Sequence, residues 1–188
     1  MNQDSHNYHD LIAIFNQCFE KSYNTRLEAG GDYPIYLPAF LDENNTPSER
    51  PYNVILFAHG FYSSALHEIS HWLVAGKERR KLEDFGYWYE PDGRSAERQR
   101  EFEQVEVKPQ ALEWILATAA NFRYFASADN LTGDAGDSSA FKNAVYNQVK
   151  YYAENGLPLR AEILRQALAE FYQTPNHIVL EQFDLTKI

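Results

Sequence analysis

The stretch NVILFAHGFYSSALHEISHWLVAG, residues 53–76, sets the fold through a change of period. Asn53 to Ala58 is a short continuous apolar run with no helical repeat, the pattern of a strand covered on both faces. A few residues later the spacing becomes helical. Ser63 or Ser64 is placed to cap a helix that runs through His67 and His71 to Gly76, a natural stop, or a little beyond. Strand, short turn and capped helix form one unit, and the other elements are read outward from it.

Upstream, Tyr8, Leu11, Ile12, Phe15, Cys18 and Phe19 recur every three or four residues, the apolar stripe of an amphipathic helix. Tyr33 to Pro38 is extended, and its two prolines suit an edge strand better than a central one. Asp42 to Pro51 is a polar loop. Downstream, Gly86 to Tyr89 is a second strand candidate, closed by the turn residues Glu90, Pro91, Asp92 and Gly93. Ser95 to about Glu106 reads as a charged helix and Pro109 as the opening of a separate one, since its missing N–H costs nothing in a first turn. Leu112, Ile115, Leu116 and Ala119 give that second helix a buried stripe. After a loop over 129–137 comes a helix carrying Phe141, Val145, Val149 and Tyr152, stopped by Gly156 and Pro158. A last helix holds Ile163, Leu164, Ala167, Leu168 and Phe171. No repeat or linker interrupts residues 1–188. The expectation is a single α+β domain, mostly helical, with a small sheet against which the His67–His71 helix packs.

A chain of 188 residues is long enough for one substantial core. Its 44% hydrophobic and 23% charged residues exclude disordered, collagen-like and disulfide-scaffold classes. A net charge of −10 opposes binding to nucleic acid, which needs a basic face. The first residues lack the basic and apolar regions of a secretory leader, and no stretch approaches the ~18 apolar residues of a membrane span. Cys18 is the only cysteine, which excludes an internal disulfide and suits a reducing cytosol, so a cytoplasmic location is expected.

His67-Glu68-Ile69-Ser70-His71 is an HExxH motif, which this composition yields by chance only about 0.02 times. Residues four apart on a helix differ by about 6 Å of rise and about 40° of rotation, so both imidazoles project from one face and can hold one metal ion. Two histidines leave a divalent ion under-coordinated, so a third ligand has to come from elsewhere. The extended protease form HExxHxxGxxH is absent, because Val74 and Lys77 stand where Gly and His are required. The charged helix is the richest source of carboxylates. Glu103 and Glu106 share a face there, and Glu106 is favoured over Glu103, Glu97 and Glu101 because it lies at the junction before Pro109. Two chemistries fit these residues. In a zinc hydrolase Glu68 is the general base on a metal-bound water. In a non-haem iron enzyme two His and one carboxylate occupy one face of Fe(II) and leave positions open for oxygen. A purely structural zinc site is disfavoured, because such sites are four-coordinate and rich in cysteine.

The block Phe57 to Tyr62 running into His67 to Trp72, then Asp84 to Tyr89 with Pro91 to Arg94, resembles the elongation factor P hydroxylase family of bacteria. So does Val105-Glu106-Val107-Lys108-Pro109-Gln110-Ala111-Leu112. With Asn24 to Leu27 and Pro34 to Pro38, these blocks cover most of residues 24–114. The resemblance implies a protein hydroxylase, a monooxygenase in type, acting on a β-lysylated lysine of elongation factor P with molecular oxygen. It implies an Fe(II)-type site, with Zn or another divalent metal as the alternative, formed by His67, His71 and Glu106. It also implies a likeness to a metal-dependent bacterial ribonuclease fold, which keeps a nuclease or zinc hydrolase as the competing expectation. Glu68 then has either the catalytic role of a base or that of orienting a ligand or water. No organic co-substrate site is recognised.

A long cationic side chain is well held by aromatic faces near a carboxylate. Tyr62, Tyr87, Trp88 and Tyr89 are the candidate rings, and His59, at the end of the strand feeding the motif helix, is a further candidate substrate contact. Asp92 or Asp129 is placed to meet an amine. Lys77, Arg79, Arg80 and Lys81 form the one dense basic cluster, able to steer an acidic partner.

Overall fold

A computed structural model of the chain describes residues 6–39, 50–84, 95–127 and 138–188. Helix α1 (Tyr8–Tyr23) starts at Asn7, whose side chain accepts from the amide of His9, and buries Leu11, Ile14, Phe15 and Phe19. Asn24, in the left-handed conformation, ends it and turns the chain into strand β1 (Thr25–Ala29). Strands β2 (Ile35–Leu37) and β3 (Asn53–Phe57) complete a mixed sheet in the order β1-β3-β2. β1 is parallel to β3, with Thr25 opposite Asn53, and β2 is antiparallel to it, with Ile35 opposite Leu56. The apolar run is thus the central strand, and the proline-flanked segment lies at an edge. β1 went unread in the sequence because it is short and its buried Thr25 and Leu27 alternate with the charged Arg26 and Glu28. The Asn16 side chain fastens it to α1, accepting from the Leu27 amide at 2.7 Å.

β3 hands the chain to helix α2 (Tyr62–Val74) through His59 and Gly60, both left-handed at φ 57° and 66°. At Gly60 a side chain would meet that strained backbone and the Tyr8 ring, 3.4 Å from where its Cβ would sit. Phe61 is the N-cap and supplies no side-chain bond, so the expected serine cap is not made. Ser64 instead accepts from the Ala58 amide, joining strand end to helix start. At the far end Arg160 donates to the carbonyls of Leu73 and Ala75, at 3.1 and 2.7 Å, satisfying groups that a helix terminus leaves open.

Ser95 caps helix α3 (Ala96–Ala119), which is unbroken. The expected division at Pro109 does not occur: the proline lies within the helix, where it forfeits a hydrogen bond to the Val105 carbonyl. Every residue from Gln110 to Ala117 is buried, packed among α2 and the two helices that follow, and this burial outweighs the local cost. Helix α4 (Ser139–Asn155) buries the expected Phe141, Val145, Val149 and Tyr152. In α5 (Leu159–Tyr172) Leu164 and Leu168 are buried as expected, but Phe171 is exposed and Arg160 and Arg165 take the inner face. Arg160 lies 4.3 Å from the Trp72 ring, and Arg165 forms a two-pronged pair with Glu162.

The basic cluster past α2 is largely spent internally. Arg79 forks onto Asp84, Arg80 donates to the Ala75 carbonyl and Lys81 pairs with Glu78. The expected strand Gly86–Tyr89 lies outside the described residues. Among the described residues no helix is long and apolar enough to cross a membrane.

Candidate metal centre

The packing of α2 on α3 brings together side chains from three helical turns. His67 and His71 project from one face of α2, with their Nε2 atoms 3.0 Å apart. From α3 Glu106 sends one carboxylate oxygen to within 3.3 Å of His71 Nε2 and the other to within 3.9 Å of His67 Nε2. Glu106 is almost fully buried. These three form the one group of His, Cys, Asp or Glu donors among the described residues able to share an ion, with ligand atoms all within 4.8 Å of one another. Ligand bonds of about 2.0–2.2 Å place neighbouring donors about 3.0 Å apart at right angles and about 3.4 Å apart at tetrahedral angles. Two separations fall in that range and the third is slightly wider, so the residues fit a divalent ion.

Glu113, one turn past Gln110 on α3, accepts a 2.9 Å hydrogen bond from His67 Nδ1. A carboxylate only accepts, so Nδ1 carries the hydrogen and Nε2 is the coordinating nitrogen. Burial alone would lower the His67 pKa, but the carboxylates of Glu113, Glu106 and Glu68 override it and raise the metal-free value to about 10. Without an ion, therefore, a proton sits on Nε2, in the place a metal would take. Burial would likewise raise the Glu106 carboxyl. The hydrogen bond and charge of His71, the charge of His67 and the Gln110 amide hold it down at about 2.

Gln110 ties this group to its surroundings. Its Nε2 donates to Glu106 at 3.3 Å and to the Ser127 carbonyl at 2.6 Å, and its Oε1 accepts from Tyr124 Oη at 2.8 Å and the Ser127 amide at 3.1 Å. Both amide hydrogens and both lone pairs are used. The segment 122–127 beyond α3 is thereby fixed to a metal-site carboxylate. It forms one wall of a cleft of about 340 Å³ that opens beside His67 and Glu113.

Glu113 and Gln110 were not singled out from sequence. Glu106, Gln110 and Glu113 are spaced four and three apart, one polar stripe on one helix, but assuming two helices separated at Pro109 hides that stripe. Glu103 accepts from Gln99 instead and is not among the converging donors. Glu68, a rotation of about 100° from His67, lines a separate cavity of about 20 Å³ with Tyr36, His71, Trp72 and Arg79. Burial raises its carboxyl pKa despite the neighbouring histidines. His59 is exposed, its ring 5.9 Å from that of Phe61. Tyr62 is buried in an aromatic cluster with His6, Phe122 and Tyr172. Tyr87, Trp88, Tyr89, Asp92 and Asp129 lie outside the described residues.

Two imidazoles and one carboxylate, supplied by two packed helices beside an open cleft, define the class: a candidate metal site of the two-His-one-carboxylate type. The particular family follows from comparison. The family model for elongation factor P hydroxylase matches residues 14–183. The chain is also 72% identical over 183 residues to the elongation factor P lysine hydroxylase of Haemophilus influenzae, spanning 97% of this chain and 99% of that protein. The chain belongs to the elongation factor P hydroxylase family.

Proposed function

We propose that this chain hydroxylates a β-lysylated lysine of elongation factor P at a ferrous ion held by His67, His71 and Glu106, one atom of molecular oxygen entering the C–H bond and the other leaving as water with two electrons and two protons from an external reductant. The observation that carries this is the convergence of those three donors in a member of a hydroxylase family. Two neutral imidazoles and one carboxylate leave a divalent ion with unfilled positions, the arrangement suited to Fe(II) and oxygen. When bound, the ion supplies oxygen activation. The chain's own residues do the rest. Glu113 fixes the tautomer of His67 through Nδ1, Gln110 holds the Glu106 carboxylate in its charged form, and the cleft beside His67 admits the side chain to be oxidised. Glu68, which lines the small separate cavity with His71, is assigned an orienting role rather than that of a base.

The test is mass spectrometry of β-lysylated elongation factor P incubated with the iron-loaded protein and a chemical reductant such as ascorbate. A gain equal to one oxygen atom is expected in air and not under argon. His67→Ala, His71→Ala and Glu106→Ala should abolish it while leaving folded protein. A hydrolytic reaction, which the same donor set also supports with zinc, would be independent of oxygen and depend strongly on Glu68. Turnover under argon would therefore overturn the proposal.

A further inference from the structure

Among the described residues a cavity opens at each imidazole, and the two differ in what they can receive. The one at His71 has about 20 Å³, little more than room for a water. The one at His67 has about 340 Å³ and lies between Ser63, Ser64 and His67 on α2 and Phe122, Tyr124, Phe125 and Ser127 beyond α3. That is the lower end of ligand-site volumes, about 300–1,000 Å³. It suits one extended side chain, not a folded loop.

The wall chemistry narrows the occupant. Phe125 is half exposed, and its ring carries the guanidinium of Arg123, a further lining residue, 4.4 Å from its centroid, so it is left to cover methylenes rather than a second cation. Phe122 adds a second ring along the same wall. At the inner end Glu113 gives one carboxylate oxygen to His67, and its other oxygen makes no hydrogen bond among the described residues. Aromatic faces leading to a carboxylate favour methylenes ending in an ammonium, and the net charge of −10 favours a cation over an anion at long range.

We propose that this cleft admits one long, extended, cationic side chain end-on, its methylenes along Phe122 and Phe125 and the terminal ammonium of its β-lysyl group at Glu113. The assignment rests on the lysine hydroxylation proposed above and adds the route by which the lysine-type chain reaches His67. The segment 122–127 is then a specificity wall, and Gln110 keeps it in register with the metal-site carboxylate.

The probe is 1,5-diaminopentane, with pentane-1,5-diol as its uncharged counterpart, titrated into zinc-loaded protein and followed by amide NMR. The diamine should shift resonances of residues 63–67 and 122–127, and the diol should not. Phe125→Ala should weaken diamine binding about four-fold for each methylene it uncovers, at about 0.8 kcal/mol per buried CH2. Ser63→Phe, which fills the cleft from an exposed position, should abolish binding with metal content unchanged. With β-lysylated elongation factor P, both variants should raise KM far more than they lower kcat. Shifts confined to Tyr36, Arg79 and Asp84, equal binding of diol and diamine, or variants with unchanged Kd and KM would overturn the cleft assignment. If the diamine binds here but no oxygen is added to the protein substrate, the cleft assignment stands and the proposed reaction falls.

Discussion

Replacing Gln110 by Met keeps the volume of the side chain and removes all four of its hydrogen bonds. Tyr124 Oη is buried and loses its acceptor, Glu106 loses a donor to a buried charge, and the two backbone groups of half-buried Ser127 lose partners that water can in part replace. Each buried polar group left unpaired costs about 1–3 kcal/mol. Two full penalties and two small ones give a loss of about 3–5 kcal/mol, large for one substitution. Urea unfolding of metal-free protein at neutral pH measures it through the midpoint, with the slope unchanged. Gln110→Glu supplies the contrast. It keeps the acceptor toward Tyr124 but sets a carboxylate 3.3 Å from Glu106, so the Glu106 pKa should rise from about 2 and metal uptake should shift to higher pH. If Gln110→Met costs under about 1 kcal/mol and leaves metal affinity intact, the amide is not the tie described here.

Glu113→Gln keeps an acceptor for His67 Nδ1 but removes the charge, so ferrous affinity should fall about 10–100-fold, read by competition with a chelator. The raised His67 pKa makes its proton stabilising in the metal-free fold, fully so below the unfolded value of about 6.5 and no longer once pH passes about 10. Metal-free protein should therefore lose stability across that window while loaded protein does not. Calorimetry in two buffers at pH 8 should show about one proton released per metal bound. Arg160→Leu strips the donor from the Leu73 and Ala75 carbonyls and the cation from Trp72. It should cost about 2–4 kcal/mol, measured by urea unfolding. A loss within error would show that water caps α2 equally well.

The metal-bearing helix and the strand before it were legible because their periods are pure: an unbroken apolar run, then histidines four apart. Glu106, which converges on the two histidines, was picked out in the sequence for a reason that did not survive. The sequence argument used a helix end at Pro109, whereas the structure uses an unbroken helix whose polar stripe carries Glu106, Gln110 and Glu113 inward. A proline signal is local, and the burial that overrules it comes from α2, α4 and α5, distant in sequence. The same limit explains α5, where buried Arg160 donates through Nη2 to the end of α2 and buried Arg165 forks onto Glu162. No aliphatic periodicity foretells that. The short β1 needed its pairing with β3 to become visible.

Among the described residues the candidate donors come from α2 and α3, two helices made in succession. During synthesis the histidine pair leaves the ribosome well before Glu106 and Glu113, and two imidazoles on a solitary helix grip a ferrous ion weakly. On the function proposed above, a ferrous ion is captured late, when the second helix docks. Unfinished or truncated chains then carry no redox-active ion to damage themselves or their neighbours.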